Sequence, residues 1–259
     1  MKLAVSGKGG TGKTTIAGIL AHYFNNDKYQ VLAVDADPDA NLASAIGIPE
    51  EKAASIIPIS NQRQLIQERT GAKPRQFGQL FKINPTVKDI PDKFCISSKG
   101  IKLLVMGAIR KGGSGCACPE NVLLRSLLSE IILNRNEVVI VDMEAGIEHL
   151  GRATSRSIDK MLIIVEPGSR SISTAKTIMK LAKDIGIESF GIIGNKIQDE
   201  QQKHWILSQF PHNQILGMVS YHEIIRDADL NQQPLIEILD EKLKAEFNEI
   251  YQNVCRPMA

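Results

Sequence analysis

The sequence predicts an α/β fold with a single doubly wound, mainly parallel sheet and helices on both faces. Three observations point there. Short apolar runs alternate with helical patterns along most of the chain, the order that a parallel sheet with crossover helices requires. Several runs, including Val138-Val139-Ile140-Val141 and Met161-Leu162-Ile163-Ile164-Val165, are apolar at every position, as strands covered on both faces must be. Finally, 259 residues, 43% of them hydrophobic and 23% charged, are enough to enclose a substantial core.

The elements follow in order. A strand over Lys2–Ser6 runs into a glycine-rich turn and then a helix over Thr14–Phe24. Further strands are expected at Val31–Asp35, Ile101–Met106, Val138–Asp142, Met161–Glu166, Phe190–Gly194 and Ile215–Val219. Helices are expected at Glu120–Asn134, Ser171–Ile185, Gln201–Phe210 and Leu235–Val254. The last carries Leu239, Leu243, Phe247, Ile250 and Val254 at helical spacing. Its other face mixes Asp240, Glu241 and Glu246 with Lys242 and Lys244. That reads as a terminal helix docked on the core, since a membrane-surface helix favours Lys and Arg. Residues 49–100 break the rhythm, being rich in Lys, Arg, Gln and Pro, with only Asn61–Arg69 reading as a helix. They are taken as an irregular insertion in one domain spanning 1–259. Lys73, Arg75, Lys82, Lys88 and Lys93 could form a docking patch there, although a solvated surface is the ordinary use of such residues.

Composition narrows the function classes. A formal net charge of +2, with no long block of Lys or Arg, argues against a nucleic-acid partner. No apolar stretch approaches the roughly 20 residues of a membrane span. Met1 leads straight into Leu3-Ala4-Val5, without the pattern of an export signal. Four cysteines, Cys95, Cys116, Cys118 and Cys255, are too few for a disulfide scaffold, so a reducing, cytoplasmic setting is expected. Two of them stand one residue apart.

Gly7-Lys8-Gly9-Gly10-Thr11-Gly12-Lys13-Thr14-Thr15 satisfies the P-loop pattern between a strand and a helix. Glycines let successive backbone N–H groups turn inward on phosphates, and the helix that follows adds its positive end. Gly9, Gly10, Thr11, Gly12, Thr14 and Thr15 are therefore expected around ATP or ADP. Lys13 reaches the β- and γ-phosphates, and Thr14 takes a Mg²⁺ position. With the additional Lys8, the loop resembles that of the deviant Walker A ATPases, the group containing MinD, ParA and the nitrogenase iron protein. The resemblance implies that Lys8 reaches across a dimer interface to the partner's nucleotide. It also implies that Asp37, in Asp35-Ala36-Asp37-Pro38, positions the attacking water. Asp142-Met143-Glu144-Ala145-Gly146 looks like Walker B plus switch II, with Asp142 holding Mg²⁺ through water and Gly146 approaching the γ-phosphate. Asn195 matches the position that pairs with adenine. A P-loop ATPase that works as a homodimer is the expectation.

The segment Ile109–Pro119 reads Ile-Arg-Lys-Gly-Gly-Ser-Gly-Cys-Ala-Cys-Pro and opens a helix. A helix N-terminus favours thiolate, the metal-binding form, and Arg110 and Lys111 would add to that. A disulfide between Cys116 and Cys118 would close a small, strained ring. Two inert turn residues are possible, yet thiols on a glycine-rich loop are poor core residues. Metal binding is the favoured use. One pair supplies two ligands where a closed thiolate site wants four, and two copies meeting on a C₂ axis would complete it.

This constellation resembles the CooC family of nickel-insertion ATPases, which serve carbon monoxide dehydrogenase and, in a sister branch, acetyl-CoA synthase. The match lies in Gly7–Thr15, Asp35–Leu42, Gly113–Arg125 and Asp142–Arg152. It implies that Cys116 and Cys118 bind Ni²⁺ at a dimer interface and that a nickel enzyme is the client. The ligands themselves suit Zn²⁺ equally. His149, beside switch II, could couple nucleotide state to metal, though packing or a backbone contact is the simpler use. A ParA- or MinD-type positioning ATPase would share the P-loop but should carry a basic face or tail. An iron-protein-like reductase would need widely separated cluster cysteines. Cys95 and Cys255 are read as packed bystanders.

Overall fold

The computed structural model describes the chain except residues 39, 75, 77, 108–117, 146–149, 151, 232 and 257–259, and the side chains of 152, 153 and 229. Strands are β1 (Lys2–Gly7), β2 (Val31–Asp35), β3 (Ile96–Ser98), β4 (Ile101–Val105), β5 (Val138–Asp142), β6 (Lys160–Val165), β7 (Phe190–Ile197) and β8 (Ile215–Ser220). Helices are α1 (Lys13–Asn26), α2 (Leu42–Ala45), α3 (Glu50–Ala54), α4 (Arg63–Thr70), α5 (Ile90–Phe94) and α6 (Pro119–Asn134). They continue with α7 (Arg152–Ser155), α8 (Ser169–Asp184), α9 (Glu200–Leu207), α10 (Glu223–Leu230), α11 (Leu235–Ile238) and α12 (Glu241–Cys255).

The strands form one sheet in the order β3-β4-β2-β5-β1-β6-β7-β8. Every pairing is parallel except β3 with β4. The side-chain period of 2 in a strand feeds the two faces alternately. Leu32, Val34, Val139, Val141, Met161 and Ile163 join the core under α6 and α8. Val31, Ala33, Val138, Ile140, Leu162 and Ile164 join the core under α1 and α12. This double burial is why the strands read as unbroken apolar runs. No helix among the described residues is long and apolar enough to cross a membrane.

All seven expected strands are present and mutually parallel. The sequence reading missed β3, a three-residue edge strand with no internal apolar pattern. It also missed α10 and the short helices α2, α3, α5 and α7. The expected helix Leu235–Val254 is two helices. Asp240 takes an extended backbone and accepts a hydrogen bond from the Leu243 N–H at 2.8 Å, so it caps α12 and interrupts the run. Residues 49–100 are more structured than expected: Ile59, Leu65, Ile66, Val87 and Ile90 pack into the core beside Leu123, Leu124 and Leu127 of α6. Leu65 and Ile66 lie in α4, which is the helix expected at Asn61–Arg69, while Ile59, Val87 and Ile90 are spaced too widely among polar residues for periodicity to reveal them. Lys73, Lys82, Lys88 and Lys93 are exposed, and Arg75 lies outside the described residues.

At the chain's far end, Lys160 Nζ donates to the carbonyl oxygens of Asn253 (3.3 Å), Val254 (2.9 Å) and Arg256 (3.3 Å). A buried ammonium thus satisfies the last carbonyls of α12 and ties that helix to β6.

Candidate functional site

The carboxyl ends of β1, β2, β5, β6 and β7 converge, and the loops leaving them make the site. This is where ligands gather in open α/β sheets, because the crossover connections leave a crevice there. β1 ends at Gly7 and α1 begins at Lys13. Gly7 must be glycine: a Cβ there would stand 2.5 Å from the Ile164 carbonyl oxygen of the neighbouring strand. Gly12, at φ +93°, starts α1 in the left-handed region, and a Cβ there would collide with the Asn195 amide. Thr11 closes the loop on itself, its Oγ1 donating to the Lys8 carbonyl at 2.8 Å. Gly9 and Gly10 are exposed, Thr15 is half-buried, and Gly12 makes no side-chain cap, so the first N–H groups of α1 remain available to an anion.

Carboxylates sit beneath the loop. Asp35 and Asp142 are register partners at the ends of β2 and β5, and both are buried. Thr14 Oγ1 donates to Asp142 Oδ2 at 2.6 Å, and Asp142 Oδ1 is buried with no hydrogen-bond partner. Burial pushes the Asp142 carboxyl up to about 6, against the opposing pull of the Thr14 hydroxyl and the Lys13 ammonium. A buried, under-satisfied carboxylate oxygen beside a threonine hydroxyl is a hard-oxygen donor set, and it fits Mg²⁺. Asp35, also raised by burial, to about 7, accepts from the backbone N–H of Leu42 at 2.9 Å and of Asp37 at 3.2 Å. It therefore shapes the loop that presents Asp37. Asp37 Oδ2 lies 3.7 Å from Lys13 Nζ, which is buried.

The far wall is built from β6 and β7. Asn195 is buried; its Nδ2 donates to the Thr11 carbonyl at 2.8 Å and its Oδ1 accepts from the Lys196 N–H at 2.9 Å. Lys8 Nζ stands 3.2 Å from Glu166 Oε1. Lys196 Nζ stands 3.4 Å from Glu166 Oε2 and donates to the Gly10 carbonyl at 2.6 Å. The structure thus brings together Lys8, Gly9, Gly10, Thr11, Gly12, Lys13, Thr14, Thr15, Asp37, Asp142 and Asn195. Gly146 and His149 lie outside the described residues. Sequence reasoning missed Asp35, Glu166 and Lys196 as members of the site. Asp35 carried a signal, a charge ending an apolar strand; Glu166 and Lys196 did not, since their value lies in which strands are neighbours.

The Cys-x-Cys segment is described only from Cys118, and Cys116 lies outside the described residues. Cys118 stands at the N-cap position of α6, with Pro119 in the first turn and no side-chain cap. Among the described residues the surroundings of Cys118 do not favour thiolate, while Arg110 and Lys111 lie outside them. Burial raises the Cys118 thiol above its ordinary range, and the neighbouring Glu120 carboxylate adds to that, outweighing the hydrogen bond from the Asn121 N–H. Cys95, partly buried against the core, is pushed up to about 12 by that burial, against the pull of the Arg135 and Lys102 charges, and is an inert thiol.

Residues 2–235 match the family model described as the CobQ/CobB/MinD/ParA nucleotide binding domain. The chain is 48% identical over 229 residues to the carbon monoxide dehydrogenase accessory protein CooC of Rhodospirillum rubrum, covering 88% of this chain and 87% of that protein. It is 45% identical over 258 residues to an uncharacterized ATP-binding protein of Methanocaldococcus jannaschii, covering 99% and 98%. Among solved structures, MinD in the MinC:MinD complex of Aquifex aeolicus superposes with a TM-score of 0.68 at 19% identity, covering 100% of this chain and 98% of that one. A ParA family ATPase of Chlorobium tepidum gives a TM-score of 0.65 at 16% identity over 97% of each. Those last two show the fold, while the sequence matches place the chain more finely. The chain belongs to the CobQ/CobB/MinD/ParA nucleotide-binding family, a group of ATP-binding P-loop proteins, and is a CooC-like member of it.

Proposed function

We propose that this chain is an ATP-hydrolysing metallochaperone that dimerises with ATP and metal and inserts nickel into carbon monoxide dehydrogenase or acetyl-CoA synthase. The observation that carries the client is the 48% identity to a carbon monoxide dehydrogenase accessory protein along 87% of that protein's length.

In this reading the loop N–H groups of Gly9 through Thr15 and the Lys13 ammonium take the phosphates of ATP. Lys13 exchanges Asp37 for the γ-phosphate, which releases Asp37 to orient the attacking water. Thr14 and Asp142 hold Mg²⁺, a role supported by the unsatisfied Asp142 Oδ1. When bound, the metal neutralises charge on the phosphate oxygens. Gly146 lets the following loop approach the γ-phosphate, and Asn195 meets adenine through Oδ1, its Nδ2 being given to Thr11. Lys8 acts on the nucleotide of a second chain, where a cation supplied in trans makes hydrolysis depend on dimerisation. Cys116 and Cys118 bind the cargo ion together with the same pair of the partner, Ni²⁺ by the family resemblance and Zn²⁺ by chemistry alone. Because ATP and metal both prefer the closed dimer, each strengthens the other's binding.

Size-exclusion chromatography with and without Ni²⁺ tests the site. Wild type should shift to a dimer carrying one nickel, and the double variant Cys116→Ala/Cys118→Ala should do neither. Equally tight nickel binding by that variant would overturn the assignment. Capture of the metal-free client enzyme, followed by its nickel-dependent activation, tests the destination.

A further inference from the structure

In the sheet, β6 lies between β1 and β7. The residue that follows β6 therefore emerges between the P-loop, which follows β1, and the end of β7. That residue is Glu166. Its backbone is fixed by donation of its N–H to Ser171 Oγ at 3.0 Å, and its carboxylate faces both neighbours. Oε1 meets Lys8 at 3.2 Å and Oε2 meets Lys196 at 3.4 Å. Lys196 is itself held in place: its backbone is left-handed at φ +60°, in a register shift of β7, and its ammonium also reaches the Gly10 carbonyl. A non-glycine residue keeps such a conformation only where its surroundings enforce it.

We propose that Glu166 positions Lys8. It holds the ammonium in cis in the nucleotide-free chain, yields it when Lys8 reaches a second chain's nucleotide, and falls back on Lys196. The inference rests on the trans-lysine reading given above. Two features make the contact reversible. The side chains of Lys8 and Glu166 are 39% and 23% exposed, so water screens the pair and replaces part of it on opening. Lys196 stays behind, so the departing lysine leaves no unpaired carboxylate. Each dimer opens two such contacts, which multiplies a small effect.

The test measures ATP hydrolysis per chain against protein concentration. In Glu166→Gln the half-maximal concentration should fall by about 2- to 30-fold, the square of what one exposed ion pair contributes. In Lys196→Met, which leaves Glu166 to Lys8 alone, it should rise. An unchanged midpoint in Glu166→Gln, or movement of both variants in the same direction, overturns the proposal. Zero-length carbodiimide cross-linking reads the contact directly. Nucleotide-free wild type should yield a Lys8–Glu166 isopeptide within one chain, lost on adding Mg-ATP; equal yield in both states overturns the release. If wild-type activity per chain does not rise with concentration, the trans-lysine reading fails instead, and the cross-link alone decides the role of Glu166.

Discussion

Two helix N-termini face the same end of this molecule and use the same physics to opposite effect. The N-cap of α1 is Gly12, which has no side chain, whereas at α6 the Asn121 N–H is directed at the Cys118 sulfur; both helices present a positive end. The first turn of α1 carries no acid, and its carboxylates come from β2 and β5, below the loop. The groups that would meet phosphate are thus left to the anion. The first turn of α6 carries Glu120, directly after Pro119; burial raises the Cys118 thiol and that carboxylate adds to it. A helix N-terminus therefore predicts an anion site only where burial does not oppose it. At α6 burial is the largest influence, and with the Glu120 charge added it outweighs the Asn121 N–H that favours thiolate.

Three experiments sharpen that contrast. The largest effect is expected at the α1 end. Lys8→Ala should cut hydrolysis by about 1,000-fold, the scale of a cation supplied in trans, while ATP binding persists because Lys13 remains. Single-turnover rates and calorimetric titration separate the two, and undiminished turnover in that variant would remove Lys8 from the mechanism.

Next comes the buried acid beneath the loop. Asp35 has a folded value of about 7, above its unfolded one, so the folded chain holds a proton that the unfolded chain releases across roughly pH 4 to 7. Its contribution is fully present below the unfolded value and is lost as pH rises through the folded one. Between pH 5 and 7 the metal-free wild type should lose roughly 2–3 kcal/mol more stability than Asp35→Asn in urea unfolding. Parallel pH profiles for the two chains would show that Asp35 is ionised throughout.

The smallest effect belongs to α6. Glu120→Gln removes the opposing charge, so Cys118 should alkylate several-fold faster near pH 7, with its rate profile displaced to lower pH. Site-resolved mass spectrometry after iodoacetamide reads this in the metal-free protein. An unmoved profile would leave burial as the whole cause and return the dipole argument to α6.

The P-loop and the apolar strands were legible because their information is local. A glycine spacing specifies a turn, and an unbroken apolar run specifies burial on both faces. Between residues 49 and 100 the helix expected at Asn61–Arg69 is α4, whereas α3 and α5 were not legible. Ile59, Val87 and Ile90 are driven inward by α6, a partner distant in sequence, and not by a period of their own. The break at Asp240 could have been found, since an Asp before Glu241 and three residues ahead of Leu243 is an N-cap signal, yet the apolar spacing across it concealed the interruption.

By itself the sequence determined the fold class, the phosphate loop, the acid that ends β5, and the family, because each depends on residue type at fixed spacing. Tertiary structure alone decided strand order, and strand order set Glu166 between Lys8 and Lys196 and laid Asn195 against Gly12. It also decided the charge state that Cys118 favours. Burial and through-space charge depend on what folding brings near, and no spacing along the chain encodes that.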